Sequence, residues 1–211
     1  MFAPFQTLFS ELSYLLTTSS DGSHDSSHLE RVWRNAKHIA AEEGGNLRLL
    51  GAAVMLHDCV EVDKNSELRA HSSRLSAERA AEALRRLKWD ESEIDLVAGA
   101  ILTHSYSAGL TPTSLEGRIL QDADRLDAIG MVGIARCFYT SGRMHSKMYE
   151  AHDPRGAERE LDDGRYALDH FPLKLLKLAG SFQTATGTRM ARERHARLQA
   201  FYDSFLTEVR G

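Results

Sequence analysis

Three separated groups of side chains in this chain have the donor types that divalent metal ions take. The first is His28 in HDSSHLERVW, the second the His57–Asp58 doublet in LHDCVE, and the third Asp122, Asp124 and Asp127 in QDADRLDAIG. Imidazole and carboxylate together suit magnesium and the divalent first-row metals. A site of two histidines and two aspartates leaves positions for water and a phosphate oxygen. A metal so held lowers the pKa of a bound water and draws charge off the phosphate. Each group falls on a different helical segment, so only the fold can bring them together. A His-Asp dipeptide alone is unspecific, and a histidine ending an apolar helix is more often a hydrogen-bonded core residue. His57 and Asp58 follow GAAVML, however. Two polar groups at the end of such a run need partners or cost several kcal/mol, and ligation satisfies both.

The elements that must position these groups read as helices. Leu29, Val32, Trp33, Ala36, Ile39 and Ala40 recur at helical spacing over 28–43. Ser27 with Glu30 reads as a capping box and Gly44–Gly45 as a stop. Residues 47–59 have the composition of a buried helix. Further helices are expected over 74–88, 91–103, 114–139 (capped by Thr113 and Glu116), 164–179 and 188–209. No segment alternates strictly enough to predict a strand. At about 100° per residue, Leu115, Ile119, Ala123, Leu126 and Ile129 share one face of the 114–139 helix. Asp122 projects into that face, Asp124 lies nearly opposite Asp122, and Asp127 lies at the margin beside Asp124. Asp122 and Asp124 are thus not expected to serve one ion together, and angle alone does not choose between them.

Composition bounds the function classes. Lys plus Arg is 26 against 30 Asp plus Glu, a formal charge of −4, which argues against nucleic-acid binding by bulk charge. The longest apolar run, Leu49 to Leu56, is far short of the ~20 residues that span a bilayer. The N-terminal stretch lacks a basic region and carries Glu11, unlike a signal peptide. Cys59 and Cys137 form no disulfide framework and suit a reducing compartment. A cytoplasmic all-α protein is expected, one domain over 1–211. Its metal-site core would span about 24–140, with C-terminal helices over about 160–209 packing on it.

The ordered set HDSSHLERVW, AAVMLHDCVEVDKN, ILTHSYS, LEGRILQDADRLDAIGMVGIAR and LDDGRYALDHFPLKLLKL resembles the HD-domain metal-dependent phosphohydrolase superfamily. It is similar to a bacterial subgroup of small HD hydrolases over roughly residues 20 to 209. The resemblance implies a compact helical bundle with His28, His57, Asp58 and Asp124 as metal ligands. Asp124 is preferred because the superfamily's last aspartate sits in such an ADRL context, with Asp122 as the rival. The implied cofactor is a divalent cation, manganese first, with magnesium, cobalt, iron, zinc or nickel as alternatives. The implied substrate is a small phosphorylated molecule, a nucleotide by family. The implied reaction is cleavage of (deoxy)nucleoside triphosphates to monophosphate and pyrophosphate. A 5′-deoxynucleotidase, a cyclic-nucleotide or ppGpp hydrolase, a di-iron oxygenase and a non-catalytic nucleotide binder are the alternatives.

By the same resemblance Asp58 and Glu61 are the candidate catalytic acids. In related nucleotidases an acid at the place of Glu61 helps position water; a solvated helix-end glutamate is the other reading. Lys64, Lys147, Arg165 and Lys174 are candidate phosphate contacts, Lys64 foremost, with Arg125 expected to point away. His24 and Asp25 are candidates to orient the His28 ring. Two-metal HD sites carry two extra histidines between the doublet and the last aspartate. This chain has His71 and His104 there. His104 ends an apolar helix, as His57 does, whereas His71 is expected to be exposed, and a single-metal site is expected. Asp169 is expected on the solvent side of a helix, and Tyr106, Tyr166 and Phe171 are candidates for base stacking, with packing in a helical core the commoner explanation. No interface motif is legible, and a twofold homodimer is the default for a soluble chain.

Overall fold

The computed structural model describes residues 3–16, 26–60, 62, 71–106 and 108–209. Among the described residues there are helices and no strand; a single isolated parallel bridge joins Lys147 and Tyr166. No described helix is long and apolar enough to cross a membrane. The chain forms two compact units, one of Met1–Asp124 with Gln183–Gly187, the other of Arg125–Phe182 with Thr188–Gly211.

The first unit opens with α1 (Gln6–Leu12), followed by α2 (Ser26–Glu43), α3 (Leu47–Leu56), α4 (Ser72–Arg86), α5 (Glu91–His104) and α6 (Leu115–Asp127, through Asp124). Helix α2 buries the predicted stripe Val32, Trp33, Ala36, Ile39 and Ala40. It stops at Gly44 and Gly45, whose φ values of 86° and 109° suit only glycine well. Ser27 lies inside α2 rather than capping it, and its hydroxyl accepts from Arg31 Nη1 at 2.7 Å. Helix α3 is buried from Leu49 to Leu56, as its continuous apolar run requires. The Asn46 side chain caps α3 by accepting from Arg48 N and Leu49 N, while its own amide donates to Glu116 Oε1. Ser114, not Thr113, caps α6 by accepting from Gly117 N at 3.0 Å.

The helix predicted over 114–139 is two. Helix α6 ends at Asp127, and α7 (Gly130–Arg143) begins at a glycine with φ of 72°. The apolar period runs on across the break, which hides it from pattern reading. The glycines are the signal: a Cβ at Gly133 would collide with the Ala128 carbonyl. The predicted 164–179 helix is also broken, into a 3-10 turn at Ala167–Asp169, the short α8 (His170–Leu173) and a second 3-10 turn at Leu175–Ser181. Pro172 supplies no amide hydrogen to continue an α-helix through this stretch.

Helix α9 (Ala185–Glu208) starts in the first unit. Asp122 holds that start: its carboxylate accepts from Gln183 N, Thr184 N and the Thr184 hydroxyl. Thr184 Oγ1 in turn accepts from Gly187 N, and Glu43 accepts from Thr186 N. Carboxylates thus take the amides of Gln183 and Thr184 just ahead of α9 and of Thr186 in its first turn, and face the positive end of its dipole. A Cβ at Gly187 would overlap Asp122 Oδ2 and press on Thr184 Oγ1. Gly187→Ala is therefore expected to destabilise by roughly 1–3 kcal/mol in urea unfolding, although alanine is the better helix former by about 1 kcal/mol. A stabilised variant would show that Asp122 yields freely.

In the second unit Phe138, Phe171, Phe201, Tyr202 and Phe205 form a ring-on-ring core. Asp169 is buried at 1% exposure, which corrects its predicted solvent position. The reason is Arg159, whose guanidinium grips both its oxygens at 2.6 and 2.7 Å, while Asp162 N donates to Oδ2. Arg159→Ala strands that carboxylate in the interior. We expect a loss of about 3 kcal/mol in equilibrium unfolding, with a loss below about 1 kcal/mol marking the pair as surface-like.

Candidate metal centre

Four helices of the first unit deliver polar side chains to one place. Helix α2 brings His28 in its first turn, α3 ends into His57 and Asp58, α5 ends at His104, and α6 brings Asp124. The three imidazoles are buried, at 2%, 0% and 4% exposure for His28, His57 and His104. Asp58 and Asp124 reach outward, with side chains 45% and 25% exposed. The cluster is therefore walled by rings on the protein side and by carboxylates toward solvent.

One ligand atom each from His28, His57 and Asp58 lies within 4.8 Å of the others. His28 Nε2 stands 3.3 Å from His57 Nε2. Asp124 Oδ1 lies 3.7 Å from His28 Nε2 and 3.9 Å from His57 Nε2, and Asp58 Oδ2 lies 3.5 Å from His57 Nε2. Donors sharing one cation at about 2.1 Å stand about 3.0 Å apart when adjacent and about 4.2 Å when opposite. The observed spacings fall in or near that range.

The hydrogen bonds behind the rings assign their tautomers. His57 Nδ1 lies 2.8 Å from the Val54 carbonyl and His104 Nδ1 2.6 Å from the Ile101 carbonyl. A carbonyl only accepts, so each Nδ1 carries the hydrogen, and Nε2 of each ring faces the cluster. Both rings use the same local device, a bond back to the carbonyl three residues earlier at the end of an apolar helix. Burial lowers the His57 pKa below its ordinary value despite the Asp58 charge, keeping the ring neutral at pH 7. Withdrawal from water opposes ionisation of Asp58, yet the neighbouring His57, His104 and His28 rings outweigh it and hold its carboxyl well below the usual range. Burial likewise lowers His104, but Asp58 and Asp124 outweigh it and raise its pKa. The C-terminal ends of α3 and α5, where dipoles favour positive charge, both meet here. Imidazole nitrogens, carboxylates and two helix C-termini fit a divalent cation.

The rival acids separate. Asp122 is 0% exposed and occupied by the Gln183–Thr184 turn, whereas Asp124 stands in the cluster. The spacing argument had placed them on opposite faces of α6. Asp127 accepts from Arg136 Nη1 at 2.7 Å in the second unit, and Arg125 Nη1 donates to the Ser181 carbonyl there. His104 joins the cluster, with Nε2 3.5 Å from Asp58 Oδ1 and its ring edge-on to His57 at 4.9 Å, while His71 is exposed ahead of α4. Glu61, Lys64, His24 and Asp25 lie outside the described residues. Lys147 and Arg165 are exposed neighbours at the isolated bridge of the second unit, where Lys147 N donates to the Arg165 carbonyl; Lys174 precedes the last 3-10 turn. Phe171 is core, stacked on Phe201 and Tyr202, and Tyr166 is buried, so of the three aromatic candidates only Tyr106, at 41% exposure, is open to a base.

Comparison with known proteins gives the family. The HD domain family model matches residues 26–129, from the start of α2 through the end of α6. YpgQ of Bacillus subtilis is 31% identical over 201 residues, covering 93% of this chain and 89% of that protein. An HD-superfamily hydrolase of Bacillus thuringiensis superposes with a TM-score of 0.72 at 28% identity, covering 96% of each chain. The chain belongs to the HD superfamily. A Lactobacillus plantarum protein shares the fold at a TM-score of 0.75 and 32% identity over 97% of both chains. The crystal structure of YpgQ in complex with ADP aligns with a TM-score of 0.73 and 29% identity, over 96% of this chain and 97% of that one. The residues matched by the HD model include His28, His57, Asp58, His104 and Asp124.

Proposed function

We propose that this HD-superfamily protein is a metal-dependent phosphohydrolase that cleaves (deoxy)nucleoside triphosphates to monophosphate and pyrophosphate. The observation that carries this reading is the convergence of His28, His57 and Asp58 within 4.8 Å, with Asp124 alongside. ADP in the YpgQ complex supports a nucleotide as the ligand class. His28, His57, Asp58 and Asp124 are the proposed ligands, with manganese the first candidate metal. When bound, a divalent cation lowers the pKa of a water and neutralises charge on phosphate oxygens.

The chain's own groups do the rest. The Val54 carbonyl fixes the His57 tautomer so that Nε2 faces the site. Asp58 is ionised and half-exposed, a charge that would hold the cation and orient a water beside it by accepting its hydrogen bond. Glu61 is the proposed partner in positioning that water. Lys64, Lys147, Arg165 and Lys174 are the proposed phosphate contacts, on the ground of charge and family resemblance. A cytoplasmic homodimer is part of the same proposal.

The test is turnover by metal-stripped protein reloaded with Mn²⁺ against a nucleotide panel, with phosphate and pyrophosphate measured separately. Pyrophosphate from triphosphates is the expected product. Phosphate from monophosphates would replace the reading with a nucleotidase, and silence across the panel with metal bound would remove nucleotides as the substrate class.

A further inference from the structure

We propose that Asn35 is a positioning residue that sets the register between the helix carrying His28 and the helix carrying Asp124. The proposal rests on the metal-site reading above. Asn35 lies seven residues after His28 on α2, two turns on and within about 20° of the same face. It is 5% exposed, a polar side chain in the middle of the stripe formed by Val32, Ala36 and Ile39. Its Nδ2 donates to the Ala123 carbonyl of α6 at 3.0 Å. Ala123 precedes Asp124 and follows Asp122, and the Asp122 carboxylate holds the opposite side of α6 to the start of α9.

Three successive residues of α6 thus meet different groups: Asp122 the start of α9, Ala123 the Asn35 amide of α2, and Asp124 the His28 ring of α2 together with the His57 ring. Apolar packing alone would allow helices to slide and rotate, because it is non-directional. A hydrogen bond is directional, so a shift of α6 breaks the one from Asn35 Nδ2 to the Ala123 carbonyl and costs free energy. The 3.7 Å approach of Asp124 Oδ1 to His28 Nε2 is therefore set from two turns away.

The test compares Asn35→Leu, which keeps volume but cannot donate, with Ile39→Val, which weakens packing on the same face but leaves the amide. Mn²⁺ affinity is read by the electron paramagnetic resonance of free Mn²⁺, and the His28 ring nitrogens are read by ¹⁵N NMR in metal-free protein. Asn35→Leu is expected to bind Mn²⁺ about 10- to 100-fold more weakly and to move the His28 resonances, while Ile39→Val keeps wild-type affinity and resonances. Wild-type affinity and unmoved His28 resonances in Asn35→Leu would overturn the proposal. So would equal losses in both variants, which mark a merely structural role. If wild-type protein bound no Mn²⁺ the metal reading would fail, and the His28 resonances would still decide the register. Should Asn35→Leu not fold, Asn35→Ala, smaller and also without a donor, is read against the same two criteria.

Discussion

Asp58→Ala is expected to abolish metal binding and turnover while leaving the helices in place. Its carboxylate faces two rings at once, Oδ2 toward His57 and Oδ1 toward His104, each at 3.5 Å. Among the described residues no other carboxylate is in ion-pair contact with His104. The side chain is 45% exposed and follows the end of α3, so its removal empties no apolar core. Metal stoichiometry should fall from one ion per chain toward zero. Turnover should drop at least about 10³-fold, the rate equivalent of the several kcal/mol that a catalytic cation supplies. Far-UV circular dichroism should be unchanged. His28→Ala is expected to behave alike, because its Nε2 faces both His57 and Asp124. Unchanged stoichiometry in Asp58→Ala would remove it from the ligand set.

The second large effect separates two aspartates one residue apart from adjacency. Asp124→Asn removes the charge facing His28 and His57 and is expected to cost metal affinity and nearly all turnover, with little change in unfolding midpoint. Asp122→Asn should do the reverse. Its carboxylate takes amide and hydroxyl hydrogens at 2.7 and 2.8 Å, and an amide group in its place turns one acceptor into a donor aimed at donors. The expected loss is roughly 1–3 kcal/mol of stability, with the metal retained. Parallel denaturation curves and metal titrations read both outcomes. Loss of metal in Asp122→Asn with Asp124→Asn unaffected would exchange the two roles.

The readable part of the site was the part whose polarity broke an apolar pattern. His57 follows GAAVML and His104 follows an apolar face ending in Ile101, and both proved to be buried rings tied to the preceding turn. The angular separation of Asp122 and Asp124 was legible as well, because 200° on a helix must send them to different neighbours. Which neighbours these were was not, since the start of α9 lies some sixty residues away in sequence. Asn35 gave no signal: one amide in an apolar stripe is indistinguishable by pattern from a tolerated polar residue. The break between α6 and α7 was missed because Leu126 and Ile129 continue the period that Leu115 begins, so only Gly130 and Gly133 betray it. Asp169 was misplaced because its partner, Arg159, lies in a loop where no periodicity operates.

The triplet at the middle of α6 has a consequence for how this gene can change. Substitutions there alter one task at a time, because Asp122, Ala123 and Asp124 answer to separate neighbours. A gain or loss of a single codon ahead of them is different in kind. It turns every later position by about 100°, swinging the cap, the carbonyl and the cluster acid out of place together. The stretch from Leu115 to Asp124 should therefore drift in composition yet keep its length across descendants of this chain.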